Sequence, residues 1–275
     1  MKLSPDQVRQ FRANVREVIL QMQERGLDVP ETIKRRDRRE PAADEKELLE
    51  DRITRTMKRH WSKQRARVEQ YIQVYHPSRK DLWLPDDLLG TDDELEAALM
   101  RLLLGGATRG AEMALESIGL GIDWTLVNGR AAEWARLYVG DMIRQVDTRT
   151  LDIVRQSVSD FIETPGMTMG DLIDRLPFTE QRARSIAVTE TTRSYAQGQL
   201  AAGDELKEQF PDVGVTKTWF TNNDDKVCLL CGPLDGVEID FDELFYEPES
   251  EYNDGNAPRH VNCRCWQDVG TRIKR

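Results

Sequence analysis

Apolar positions recur at three- and four-residue steps along most of the chain, and short polar breaks divide it into segments. Near the start, Val8, Phe11, Val15, Ile19 and Met22 follow Ser4 and Pro5 at helical spacing. A serine able to accept from the first free N–H groups, with proline in the first turn, marks a helix N-terminus. Gly26 marks its end. The stretch DVPETIKRRDRREPAADEKE carries two prolines among dense mixed charge and reads as a linker or mobile arm. Helical spacing returns from about Glu47 to Val74, after which Pro77 and Pro85 punctuate an acidic segment.

From Asp92 to about Phe210 the period is helical nearly throughout. DDELEAALMRLLLGGATRGAEMALESIGL predicts one long helix interrupted at Gly105-Gly106. Asn128 is the expected cap of the next helix, and Asp147 or Thr148 of the one after it, with Pro165-Gly166 as its stop. MTMGDLIDRL and FTEQRARSIAVTETTRSYAQGQLAAGDELKEQF complete the helical set. Thr179 stands at the start of the last, without the capping-box acid three residues on. After Pro211 the texture becomes β-like. VTKTWF favours a strand, NNDD a turn, DKVCLL a returning strand, PLDGVEI a further turn and strand, and CRCWQDV a last strand. The expected architecture is therefore a mainly α N-terminal and central body with a small α+β, metal-stapled C-terminal module. Its parts are an extended helical arm with a charged linker at 1–90, a helical body at 91–210 and a β-rich module at 211–275.

The 275 residues suffice for one large domain or two smaller ones. Charged residues at 32% and hydrophobic ones at 39% suit long solvated helix faces. A net charge of −10 argues against a surface that coats nucleic acid as a whole. No apolar run reaches the ~18 residues needed to cross a bilayer, and MKLSPDQVRQFRANVREV lacks an apolar signal core, so the expected compartment is a reducing cytosol.

In that compartment the four cysteines read as metal ligands. They fall in two clusters, VCLLCG with Cys228 and Cys231, and APRHVNCRCW with Cys263, Cys265 and, three residues earlier, His260. Thiolate and imidazole are the usual donors to a tetrahedral zinc ion. Five donors compete for four positions. In an extended strand the two residues of C-x-C point to opposite faces, so three cysteines with His260 is as good a set as four cysteines. Disulfides and free buried thiols are the competing readings. A structural zinc, one per chain, is favoured over a catalytic one, because four or five protein donors leave no position open for water. No H-E-x-x-H or deaminase pattern is present.

A second feature is the acid-free basic run at 52–67, with Arg52, Arg55, Lys58, Arg59, Lys63, Arg65 and Arg67 around Trp61. It is either a solvated helix face or a contact for DNA or for an acidic partner.

RARSIAVTETTRSYAQG, KTWFTNNDDKVCLLCGPLDG and APRHVNCRCW, in that order, resemble the C-terminal domain of the phage Mu F-like head morphogenesis, or minor head protein, family. The likeness spans about Ile122 to Trp266. Ala257 stands where the family usually has a proline, and residues 1–90 match nothing in it. The resemblance implies a minor capsid component of the virion, assembled in the bacterial host cytoplasm in few copies per particle. It implies binding to the portal protein, contact with other head or scaffold proteins, and assistance in DNA packaging or delivery. Glu190 and Arg193 of its first block, one turn apart, are either an intrahelical ion pair or, the favoured reading, a dock of the last helix on the metal module together with Trp219 of its second block. The rivals are an HNH-like metal-dependent nuclease and a nucleic-acid-binding zinc module. The first lacks the Asp-His pair and further ligands such a site needs. The second is opposed by the acidic segment 235–254.

Overall fold

The computed structural model describes residues 40–75, 84–118, 124–222, 224, 226–248 and 254–273. The helix expected at 4–26 and the linker as far as 39 lie outside them. In chain order the elements are α1 (Ala43–Tyr75), α2 (Asp93–Ile118), α3 (Trp124–Glu163), α4 (Met169–Asp174), α5 (Glu180–Gln209), β1 (Val213–Phe220), β2 (Glu238–Asp240) and β3 (Trp266–Ile273).

Helix α1 does not project from the body as an arm. Leu49, Ile53, Met57 and Trp61 form one buried stripe at four-residue steps. They pack with Leu95, Leu99 and Leu103 of α2 and with Ala183, Ala187 and Tyr195 of α5. Further along, Val68 and Ile72 meet Leu151, Val154 and Val158 of α3 and Leu172 beside them. Each such aliphatic side chain contributes about 1.5–3 kcal/mol when buried, which a free arm would forgo. The basic run is the opposite, solvent-facing side of the same helix.

Two expected helix breaks are absent. Helix α2 runs unbroken through Gly105-Gly106, and α3 is a single helix of 40 residues with Asn128, Asp147 and Thr148 in its interior. Asp147 accepts from Gln64 Nε2 of α1 at 2.8 Å instead of capping. The Gly106 position requires a residue without a Cβ, because a methyl there would lie 2.2 Å from Ser194 Oγ of α5. The close approach of α2 and α5 thus offsets the poor helix propensity of glycine. Other signals hold. Helix α3 ends before Pro165, Thr168 and Asp171 form a reciprocal capping box on α4, and Thr179 Oγ1 accepts from Arg182 N at 3.3 Å.

The strands form an antiparallel sheet in the order β2-β1-β3. Lys217 of β1 pairs with Ile239 on one side and with Val269 on the other. DKVCLL is not a strand; its described residues form turns and irregular backbone. The third strand begins at Trp266, after both cysteines of the C-x-C pair, which therefore sit in an irregular loop. The sheet shares a core with the helices, in which Val215, Phe241 and Val269 pack on Ala111, Ala114, Ala201, Ala202 and Leu206.

Candidate metal centre and its docking helix

The two cysteine loops meet under the first half of α5. In the first, Gly232 N bonds Cys228 O at 2.9 Å and Leu234 N bonds Cys231 O at 3.0 Å, so the chain coils tightly. That turn lets Cys231 N donate to Cys228 Sγ at 3.3 Å, which orients both sulfurs inward. The second loop contains a cis Ala257–Pro258 bond and Asn262 at φ 61°. Its reversal is closed by Cys263 N on His260 O at 3.1 Å.

All five expected donors are brought together. Cys228, Cys231 and His260 place their donor atoms within 4.8 Å of one another, and so do Cys231, Cys263 and Cys265. Cys228 Sγ and Cys231 Sγ lie 3.1 and 3.4 Å from His260 Nε2, and Cys231 Sγ lies 3.8 Å from Cys263 Sγ. Around a zinc-sized ion, tetrahedral edges are about 3.8 Å for two sulfurs and about 3.6 Å for sulfur and nitrogen. The donor spacing therefore fits a metal ion. His260 Nδ1 stands 3.0 Å from Val261 O, so this nitrogen carries the proton and leaves Nε2 for the ion. Cys265 packs toward Trp219 in the same buried cluster.

The electrostatics agree with a cation site. Hydrogen bonding with Cys231 holds the Cys263 thiol far below its ordinary value, while the same contact drives Cys231 up. His260 is raised to about 10, first by its hydrogen bond to Cys263. A cluster that keeps thiolate and imidazolium side by side can exchange protons for a divalent ion. The cavity at the cluster measures about 70 Å³.

Helix α5 holds the second loop directly. Asn262 N donates to Thr189 Oγ1 at 2.8 Å, and Thr192 Oγ1 donates to Cys263 O at 3.2 Å. Thr192 carried no signal in the sequence, since a threonine in a helix is ordinary until its partner is known. Trp219, fully buried, stands edge-on to Phe245 and Tyr246 at 5.3 and 6.0 Å, in one cluster with Ala196, Cys231 and Cys263.

Glu190 and Arg193 are buried one turn apart on α5. Arg193 Nε lies 3.5 Å from Glu190 Oε2, an ion pair rather than a good hydrogen bond, and finds no other acceptor. Tyr138 OH of α3 donates to Glu190 Oε2 at 2.7 Å. Burial raises the Glu190 carboxyl above its ordinary range, against the pull of Arg193. The pair's closest polar partner is thus α3, and it forms the floor of a cleft of about 860 Å³ whose other wall is the 258–261 loop.

The seven basic residues of the 52–67 run are all exposed but not alike. Lys58 pairs with Glu180 at 2.6 Å, Lys63 with Asp92 at 3.2 Å and Arg65 with Glu69 at 2.6 Å, while Arg67 donates to Leu89 O. Arg52, Arg55 and Arg59 face a groove against α2. Among the described residues no helix is long and apolar enough to cross a membrane.

Residues 152–267 match the family described as Phage Mu protein F like protein. No curated protein and no solved structure matches the chain. The matched stretch takes in the end of α3, all of α5, both cysteine loops and the start of β3, which together form the candidate metal centre and its support. Over residues 152–267, less than half of its length, the chain is thus similar to the Phage Mu protein F like family.

Proposed function

We propose that the protein is a minor head protein of a phage. In this reading it acts in head morphogenesis by docking on a portal ring in few copies, assists DNA packaging or delivery, and has no catalytic activity. A zinc ion held by Cys228, Cys231, His260 and Cys263 fastens the docking knob, with Cys265 behind them. Cys263 is preferred as fourth donor because of its 3.8 Å approach to Cys231 and its hold on His260.

The observation that carries the reading is what the two clamped loops present to solvent. Leu229 and Leu230, between the first two cysteines, are 52% and 49% exposed, and Val261, next to His260, is 69% exposed. Apolar side chains on the tips of rigid loops suit protein contact. A metal staple lowers the conformational entropy lost on binding. Four side-chain donors leave no position open for water, which supports a structural over a catalytic ion.

The test is co-purification with the portal protein of the same phage. Leu230→Asp combined with Val261→Asp should retain zinc and fold yet lose the portal. Removal of 211–275 is a poorer test, because it would strip Val215, Phe241 and Val269 from the shared core. Retention of portal by the double variant would refute the knob. Metal-dependent nicking of plasmid DNA by the purified chain would replace this reading with the nuclease.

A further inference from the structure

The groove between α1 and α2 has a charge pattern that the metal centre does not use. Arg52, Arg55 and Arg59 occupy positions i, i+3 and i+7 of α1, one stripe about 10 Å long at 1.5 Å rise per residue. Arg101 of α2 lines the facing wall. The groove encloses about 770 Å³.

None of these four guanidinium groups pairs with a carboxylate among the described residues. Arg55 reaches only the backbone oxygen of Asp51, at 3.2 Å. The chain has 49 acidic residues against 39 lysines and arginines, so unpaired arginines are not for want of acids. Neighbouring cations show the contrast: Lys58 and Lys63 have acidic partners, and Arg109 at the end of the groove is held by Glu45, Glu112 and Glu116. Four like charges along one groove repel one another and raise the local potential, which an anionic occupant would relieve.

Between the arginines the lining is apolar. Leu49 and Leu102 contribute to it, Leu48 is 63% exposed, and Gly105 leaves open space where a side chain would stand.

We infer that this groove binds an acidic amphipathic peptide segment of a partner protein. Its carboxylates would meet Arg52, Arg55, Arg59 and Arg101, and its apolar side chains would enter between Leu48 and Leu102. Arginine suits this role because its planar fork binds a carboxylate in two places. The apolar lining favours a peptide over nucleic acid. The inference is independent of the portal reading, since it concerns a different face and does not need the metal.

The test uses the full chain and three fluorescent probes. One is an amphipathic helical peptide of about 18 residues with glutamates at i, i+3 and i+7 beside a leucine stripe, long enough to hold its helix when bound. The second replaces its leucines by serines, and the third is a short DNA duplex. The leucine peptide should bind, more weakly as salt rises. Arg52→Glu combined with Arg59→Glu should weaken it by about a hundredfold, roughly ten per reversed contact, while Lys58→Glu leaves it within about threefold. Unchanged circular dichroism would show that the variants fold. The serine peptide should bind at least about tenfold more weakly than the leucine peptide. Equal binding of the two peptides, no binding of either, or indifference to the double reversal would each overturn the inference. DNA bound more tightly than peptide and lost in the double reversal would make the groove a nucleic-acid site instead.

Discussion

Gly198→Ala is the sharpest test of how the helical body is assembled. Helix α5 crosses α2 at Gly198, where an added Cβ would lie 1.7 Å from Ala107 O and 2.8 Å from Ala111 N. An ordinary carbon–oxygen contact is about 3.3 Å, so the helices would have to part by about 1.5 Å. Both obstructing atoms are backbone, which no rotamer change can move. The same interface buries Ala107, Ala111, Ala114 and Ala202 completely, and a gap of that size forfeits much of their dispersion contact. Overpacking on this scale costs about 3 kcal/mol, while replacing glycine by alanine inside a helix returns about 1 kcal/mol. The expected net loss is about 2 kcal/mol, or about 4–8 °C in Tm for a chain of this size. Gly129→Ala supplies the control, because a Cβ there meets nothing within 4 Å. It should stabilise by about 0.5–1 kcal/mol. Thermal and urea unfolding followed by far-UV circular dichroism measure both. A Gly198→Ala protein as stable as the parent would refute the reasoning.

Other expectations follow from the site and the core. Cys228→Ser should abolish metal binding, whereas Cys265→Ser should keep about one ion per chain with an unchanged cobalt absorption spectrum; loss of metal in Cys265→Ser would point to the four-cysteine set. His60 Nδ1 lies 3.0 Å from Asp92 Oδ2, and this contact, first among its causes, holds the Asp92 carboxyl down to about 2. Burial opposes charge on His60, but Asp147 and Asp92 carry it above its ordinary 6.5. The Asp92 contribution is complete above its unfolded value of 3.8 and fades as pH falls through about 2. The His60 contribution is complete below 6.5 and fades as pH rises through its raised folded value. Asp92→Asn should therefore cost about 1.5–3 kcal/mol near pH 5 and less toward either end, and a urea-midpoint difference that does not vary with pH would contradict it. Tyr138→Phe should destabilise by about 1–3 kcal/mol, because it leaves the buried Glu190 carboxylate without its 2.7 Å donor; Tm against the parent decides this.

Several features of this chain were legible from residue order alone. The three- and four-residue spacing in α1, α2 and α5 is local, so it marks helices without knowledge of their neighbours. The cap at Thr179 and the stop at Pro165 are local for the same reason. The cysteine clusters are legible because ligand spacing within each loop is set by a few residues, and the three ordered blocks carried the resemblance to the family matched at residues 152–267. Other features were decided only by tertiary structure. Gly105-Gly106 and Asp147 read as breaks because propensity is local, while the packing of Ser194 on Gly106 and the bond from Gln64 to Asp147 join residues far apart in sequence. The run at 52–67 shows seven cations, but only the position of α2 and of distant acids separates the paired Lys58 and Lys63 from the unpaired Arg52 and Arg59. The loop course around Asn262, set by Thr189 and Thr192 of α5, brings Cys263 and Cys265 toward Cys231 together, which a strand could not do. Residue order specifies which groups are available and their local geometry. Which of them meet depends on long-range packing, because the free energy of each contact belongs to a pair of residues and not to either one.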